Sequence, residues 1–159
     1  MSMVHGIKQL GVLGAGQMGT GIAFVSAVRA KVPVLIHDTS SSQLARSESF
    51  LSTLLSKDVA KGRLTQTEAT EAKDRIRVVD TLAAMRDVDM IVEAVSERVE
   101  LKKQVFRSLR ETLNERAILA TNTSSISITK IAAAAVPEGV SAASEEGVRA
   151  AGRVVGEYA

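Results

Sequence analysis

Apolar and polar positions fall in blocks along the chain, and the spacing within a block changes from one to the next. Residues 8–13 (KQLGVL) form a short apolar run, and a glycine cluster then opens a segment with Met18, Ile22, Val25 and Val28 at helical spacing. That pattern predicts strand, tight turn and helix. Residues 32–37 (VPVLIH) predict a second buried strand, with Pro33 near its start, where a missing N–H matters least. Leu44, Leu51, Leu54 and Leu55 make one stripe, and Ser40 followed by Gln43 is a capping-box start, so a long helix follows and Gly62 ends it. Thr65 and Glu68 repeat that signature and predict a second helix to about Lys73, which makes residues 41–73 a helical hairpin inserted after the second strand. Residues 76–79 and 90–95 read as two further strands, separated by a short helix near 82–85. Residues 97–113 are helical, with Val105, Phe106, Leu109 and Leu113 on one face. Residues 117–122 (AILATN) are another strand, and "SITKIAAAA" is a helix stopped by Pro137. Beyond it the pattern weakens: residues 138–147 read as a small, polar, acidic surface excursion, and Arg153-Val154-Val155-Gly156 as a sixth strand.

Strands alternating with helices imply a parallel sheet, because each crossover lays a helix on a sheet face. The expected class is α/β, a Rossmann-type doubly wound, mostly parallel sheet with an inserted helical hairpin. A dinucleotide-binding domain is expected over residues 1–136, and the excursion and final strand over 137–159.

Composition narrows the classes. Hydrophobic residues at 45% and charged residues at 24% are ordinary for a globular protein, and the apolar runs are too short to span a membrane. Residues 1–6 run directly into a strand pattern, which leaves no room for a targeting leader, and a cytoplasmic location is expected. Without cysteine there is no disulfide, thiolate metal site or cysteine nucleophile, and no metal is expected. The net charge is +2, the cations are dispersed, and three Phe and one Tyr are the only aromatics, so nucleic acid is not an expected partner.

The chemistry lies in "GVLGAGQMGTG", where Gly14, Ala15, Gly16, Gln17, Met18 and Gly19 spell G-x-G-x-x-G between a strand and a helix. Gly14 permits the tight turn, Gly16 lets backbone approach a pyrophosphate, and Gly19 allows close helix–strand packing. The phosphates would sit on the helix N-terminus, where free N–H groups and the dipole favour negative charge. Asp38 lies 19 positions past Gly19 at the end of the second strand, placed to accept hydrogen bonds from an adenosine ribose. The same carboxylate would repel a 2′-phosphate, and residues 39–42 hold no arginine to receive one, so NAD is the expected cofactor. The alternative role for Asp38 is that of a plain turn or helix-capping residue.

Three stretches, "GVLGAGQMGTGIA", "VDMIVEAVSERVELKKQVFRSL" and "ILATNTSSISITKIA", resemble the NAD-binding domain of the L-3-hydroxyacyl-CoA dehydrogenases, including the 3-hydroxybutyryl-CoA dehydrogenases. The resemblance runs from about Lys8 to Ala135 and implies oxidation of an L-3-hydroxyacyl-CoA to its 3-oxoacyl-CoA by hydride transfer to NAD, in fatty acid metabolism. It implies that Ser124 hydrogen-bonds the substrate's 3-oxygen, that Asn122 helps hold nicotinamide and substrate, and that Glu97 and Lys102 lie beside the cofactor. It also implies that Lys57, Lys61 and Arg63, on the inserted hairpin, meet the phosphates of coenzyme A. Taken without it, "NTSS" is a helix-capping turn, "SERVELKK" a solvated, charge-paired helix start, and the three hairpin cations a solvated helix end.

In that family a strand like "RVVG" leads into an "HFFNP" type motif carrying the catalytic histidine, whereas here Gly156 is followed by Glu157, Tyr158 and Ala159. The resemblance therefore implies that the sequence stops ahead of the catalytic histidine and of the helical domain that closes the acyl site. The chain by itself is expected to bind cofactor, to turn over weakly or not at all, and to self-associate through the face that domain covers. His5 and His37 are not expected to replace the base. The alternative is a non-enzymatic module that binds NAD or a partner protein.

Overall fold

A computed structural model describes residues 6–156; His5, Glu157, Tyr158 and Ala159 lie outside the described residues. Six strands form one sheet: β1 (Leu10–Leu13), β2 (Val34–His37), β3 (Ile76–Val78), β4 (Met90–Glu93), β5 (Ile118–Thr121) and β6 (Val154–Gly156). The spatial order is β3-β2-β1-β4-β5-β6 and every pairing is parallel, which is the order of doubly wound dinucleotide folds. Among the described residues six α-helices connect them: α1 (Gln17–Val25), α2 (Ser41–Ala60), α3 (Gln66–Asp74), α4 (Val99–Thr112), α5 (Ile128–Ala135) and α6 (Glu145–Gly152). A 3-10 turn at Leu82–Met85 occupies the position expected for a short helix. Among the described residues no helix is long and apolar enough to cross a membrane.

Two cores follow from the period of two along the strands. Val12, Val34, Ile36, Val92 and Ala120 face Ala23 and Ala27 of the first crossover and Leu44, Leu55, Ala69 and Ala72 of the hairpin. Leu13, Leu35, Ile91 and Leu119 face Phe106 and Leu109 of α4 and Ile131 and Ala135 of α5. The hairpin therefore covers one face of the sheet and the later helices the other. The caps of its helices differ: Thr65 with Glu68 closes the complete capping box predicted, whereas Ser40 Oγ accepts Gln43 N–H at 3.3 Å but Ser40 N–H goes to Asp38 Oδ1, so only half of the box predicted for α2 forms.

Several details differ from the sequence pattern. Half of the stripe Met18, Ile22, Val25, Val28 packs: Val28 is buried and Ile22 lies against the core, but Met18 and Val25 are 58% and 54% exposed, and Gly19, Thr20 and Ala23 are buried in their place. Small residues face the sheet because α1 lies almost on it. A Cβ on Gly19 would run into the Gly14 carbonyl, and Gly14, at φ +104°, would set one 2.6 Å from the Ala94 carbonyl oxygen. After α1 the chain widens into a π-type turn, Ser26–Ala30, ending at left-handed Lys31 (φ 55°). Residues 145–152, partly assigned to a surface excursion, are helix α6. Its inward side is made of small residues, buried Gly147 with half-buried Ala150 and Ala151; Ser144 Oγ caps it by accepting Gly147 N–H at 3.0 Å and Glu145 and Glu146 occupy its first turn.

Candidate functional site

The strand order reverses between β1 and β4, and the loops leaving β1, β2 and β4 diverge there to open a crevice of about 470 Å³. Gly14 and Gly16, His37 and Asp38, and Ala94 and Ser96 contribute to its walls. The glycine loop is pinned from both neighbouring strands, with Gly14 N–H bonded to His37 O and Ala94 N–H to Leu13 O, both at 2.8 Å. Asp38 Oδ2 accepts Ala15 N–H and its Oδ1 accepts Ser40 N–H, each at 2.8 Å. The turn role and the loop role thus coincide in one carboxylate, which keeps lone pairs for a further donor in the crevice. His37 is 7% exposed and its Nδ1 lies 2.9 Å from Val79 O, the packed strand residue expected.

Gly14 and Gly19 are required by the protein's own contacts, and Gly16 is not. A Cβ there would meet nothing closer than Gln43 Nε2 at 3.9 Å. The first helical bond of α1 runs from Thr20 N–H to Gly16 O at 2.9 Å, so the N–H groups of Gln17, Met18 and Gly19 precede the helical ladder, and no side chain caps them. Open space over a bare helix N-terminus, with a carboxylate at the end of the next strand, fits a dinucleotide: pyrophosphate at Gly16, ribose at Asp38.

At the far side of the crevice the chain builds a buried charge network that sequence reasoning missed. Glu93, the last residue of β4, and Lys102, in the second turn of α4, are both fully buried, and Lys102 Nζ lies 2.7 and 3.0 Å from the two Glu93 oxygens. Thr121 Oγ1 of β5 donates to Glu93 at 2.7 Å, and Val95 N–H does so at 2.7 Å. Lys102 also reaches Glu97 Oε2 at 3.2 Å. Glu97 in turn accepts Ser125 Oγ at 3.0 Å and Thr123 Oγ1. Burial pushes the Glu97 carboxyl up, yet hydrogen bonds from Thr123, Ser125 and Lys102, with the Lys102 charge, outweigh it and hold the group at about 2, below its ordinary 4.5. The signal for Glu93 was a carboxylate ending an otherwise apolar strand, "MIVE". Buried charge needs a partner.

The network corrects two readings. Lys102 does not belong to a solvated helix start, and its ammonium does not line the crevice; it is spent on Glu93 and Glu97. Within "NTSS" the side chain that closes the turn after β5 is Thr123, whose Oγ1 accepts Ile126 N–H at 3.1 Å, which leaves the Ser124 hydroxyl out of the turn. Ser124 is exposed, between the two residues that Glu97 holds, and half-buried Asn122 bonds through its N–H to Glu93 O at 2.8 Å. Gln17 and Met18 are exposed at the start of α1 and Ala15 is buried. Lys57, Lys61 and Arg63 are exposed at the tip of the hairpin, Arg63 lies 3.4 Å from Asp58, and none of the three lines the crevice. Among the described residues no group of three His, Cys, Asp or Glu could hold a metal.

Residues 9–140 match the family described as 3-hydroxyacyl-CoA dehydrogenase, NAD binding domain. A 3-hydroxybutyryl-CoA dehydrogenase of Bradyrhizobium diazoefficiens is 40% identical over 128 residues, covering 80% of this chain and 43% of that protein. A fatty acid oxidation complex subunit alpha of Pseudomonas entomophila is 42% identical over 132 residues, covering 83% of this chain and 18% of that one. The crystal structure of 3-hydroxybutyryl-CoA dehydrogenase from Escherichia coli K12 superposes with a TM-score of 0.82 at 34% identity, over 96% of this chain and 29% of that chain. The chain thus spans less than half the length of each of these relatives.

Proposed function

The chain belongs to the 3-hydroxyacyl-CoA dehydrogenase family through the NAD-binding domain that residues 9–140 match, and on that premise we propose that it is the cofactor-holding part of an enzyme interconverting an L-3-hydroxyacyl-CoA and its 3-oxoacyl-CoA. The observation that carries the proposal is the continuity of the crevice. It begins at Gly16 and Asp38 and reaches Val95 and Ser96, and the adjoining Glu97 is hydrogen-bonded to Thr123 and Ser125 on either side of Ser124.

NAD, when bound, supplies the acceptor for the hydride that leaves C3 of the hydroxyacyl group. The residues of this chain bind and orient. Gly16 and the N-terminus of α1 take the pyrophosphate and Asp38 takes the adenosine ribose. Glu97 keeps one lone pair for the nicotinamide side, with Lys102 acting through it from below. Ser124 donates its hydroxyl hydrogen to the substrate's 3-oxygen, and Asn122 holds nicotinamide and substrate beside it. The hydroxyl proton is assigned to no described residue, since the imidazole of His37 is buried against Val79 O.

The proposal extends to partners. Lys57, Lys61 and Arg63, three exposed cations within one short stretch, suit the phosphates of coenzyme A. Val148 on α6 and Val155 on β6, 60% and 41% exposed, supply apolar surface for self-association.

Titration with NADH, followed by cofactor fluorescence, tests the reading. The unsubstituted chain is expected to bind saturably and Asp38→Ala to bind at least roughly tenfold more weakly, as loss of charge-assisted ribose contacts would produce. Equal affinity in the two would remove Asp38 from the site.

A further inference from the structure

Beside the glycine loop lies a second hollow of about 290 Å³, which Asp38 does not line. Ala15, Gly16 and Gln17 form its floor, and Gln43, Arg46 and Phe50 of α2 its wall. It shares Gly16 and Gln43 with the main crevice, so the two hollows meet over the residue whose missing Cβ leaves open space. Among the described residues lining either hollow, Arg46 is the one cation. A dinucleotide brings two negative charges to this point, and the α1 N-terminus offers only partial positive charge.

Arg46 is exposed, but its base is held in place. Its Nη1 donates to Gln43 Oε1 at 3.3 Å, one turn earlier on α2. Gln43 Nε2 is the atom nearest the open space at Gly16. The next residue, Ser47, is buried and lies 2.8 Å from Thr20 Oγ1 of α1. Thr20 spends its single hydroxyl hydrogen on Ala15 O at 3.2 Å, so Ser47 is the donor of that bond. The clamp ties α2 to α1 and to the glycine loop itself, and it fixes where the Arg46 side chain begins.

From this placement we infer that Arg46 is the cation that neutralises the cofactor's pyrophosphate, reaching it from α2 with Gln43 as the positioning residue between guanidinium and Gly16. The inference rests on the cofactor reading above and adds a determinant of dinucleotide affinity that the glycine fingerprint does not contain. Arg46 lines the second hollow and Asp38 the main crevice, so in this reading the two residues act on different parts of the same ligand.

The test titrates NADH and ADP-ribose into the unsubstituted chain, Arg46→Gln, Arg46→Lys and, as a control for net charge, Arg149→Gln on α6, each at low and at high salt. Arg46→Gln is expected to weaken both ligands by a similar factor, roughly three- to tenfold, because one partly screened charge contact to phosphate is lost, and to flatten the salt dependence of binding. Arg46→Lys recovers part of the loss, since it restores the charge without the planar fork. Arg149→Gln leaves affinity unchanged. Unaltered affinity in Arg46→Gln, or a loss with the salt dependence intact, would overturn the role of Arg46 while leaving the cofactor reading in place. If the unsubstituted chain binds neither ligand, the cofactor reading fails, and this inference fails with it.

Discussion

Lys102 shows how a single residue can carry one meaning in sequence and another in the fold. In "SERVELKK" it reads as one charge among many, yet the structure buries it completely between Glu93 and Glu97. Removing one partner of such a pair strands the other in low dielectric, so Lys102→Met should cost about 3–5 kcal/mol in urea unfolding. Adding Glu93→Gln to it should recover part of that cost, because the stranded carboxylate is then gone; strictly additive losses would refute the coupling. Glu97 gives a pH signature. Its folded value of about 2 lies below the ordinary 4.5, so the stability it contributes is complete above pH 4.5 and lost as pH falls through 2. The melting temperatures of the unsubstituted chain and Glu97→Gln should therefore differ most at neutral pH and converge as pH approaches 2. A difference that persists undiminished at pH 2 would show that the carboxylate charge is not what stabilises.

At the scale of elements, helices with caps and stripes are where the sequence predicts them, and the exceptions share a cause. The closest face of α1 to the sheet is made of glycine, threonine and alanine, because close approach excludes larger side chains; Ile22 and Phe24 pack at its margins, and Met18 and Val25 are exposed. Helix α6 likewise packs through small residues, with Gly147 buried and a Cβ there running into the Ser141 carbonyl. Hydrophobic pattern reports burial of large residues and is silent where backbone packs on backbone. The same elements carry a prediction. Among the described residues strand β6 is paired on one side only, to β5, and an edge strand with an exposed apolar residue invites another copy. Light scattering should show apparent mass rising with concentration, and Val148→Lys with Val155→Lys should suppress the rise. A constant monomer mass for the unsubstituted chain would contradict it.

For the whole molecule, the arrangement that matters is the parallel sheet in the order β3-β2-β1-β4-β5-β6, whose reversal beside β1 opens the crevice. Its existence was legible from the alternation of strands and helices, and the place of the glycine loop and Asp38 within it from their positions at strand ends. These features are local: a cap, a turn, a period of two or of 3.6 and a glycine forced by sterics are each decided within a few residues of chain. The contacts that equip the crevice are of another kind. Glu93 meets Thr121 across neighbouring strands, Glu97 meets Ser125, and Ser47 meets Thr20, pairs separated by 28, 28 and 27 positions. No periodicity encodes such partners, because they become neighbours only after the strands have taken their order and the helices their faces. The sequence by itself determined the class of fold, the glycine loop between β1 and α1 and the carboxylate that follows β2. Only the tertiary structure decided that Lys102 is buried, that Thr123 and not Ser124 closes the turn, and that Arg46 and Gly16 line one hollow, since distance through space, not along the chain, sets which groups meet.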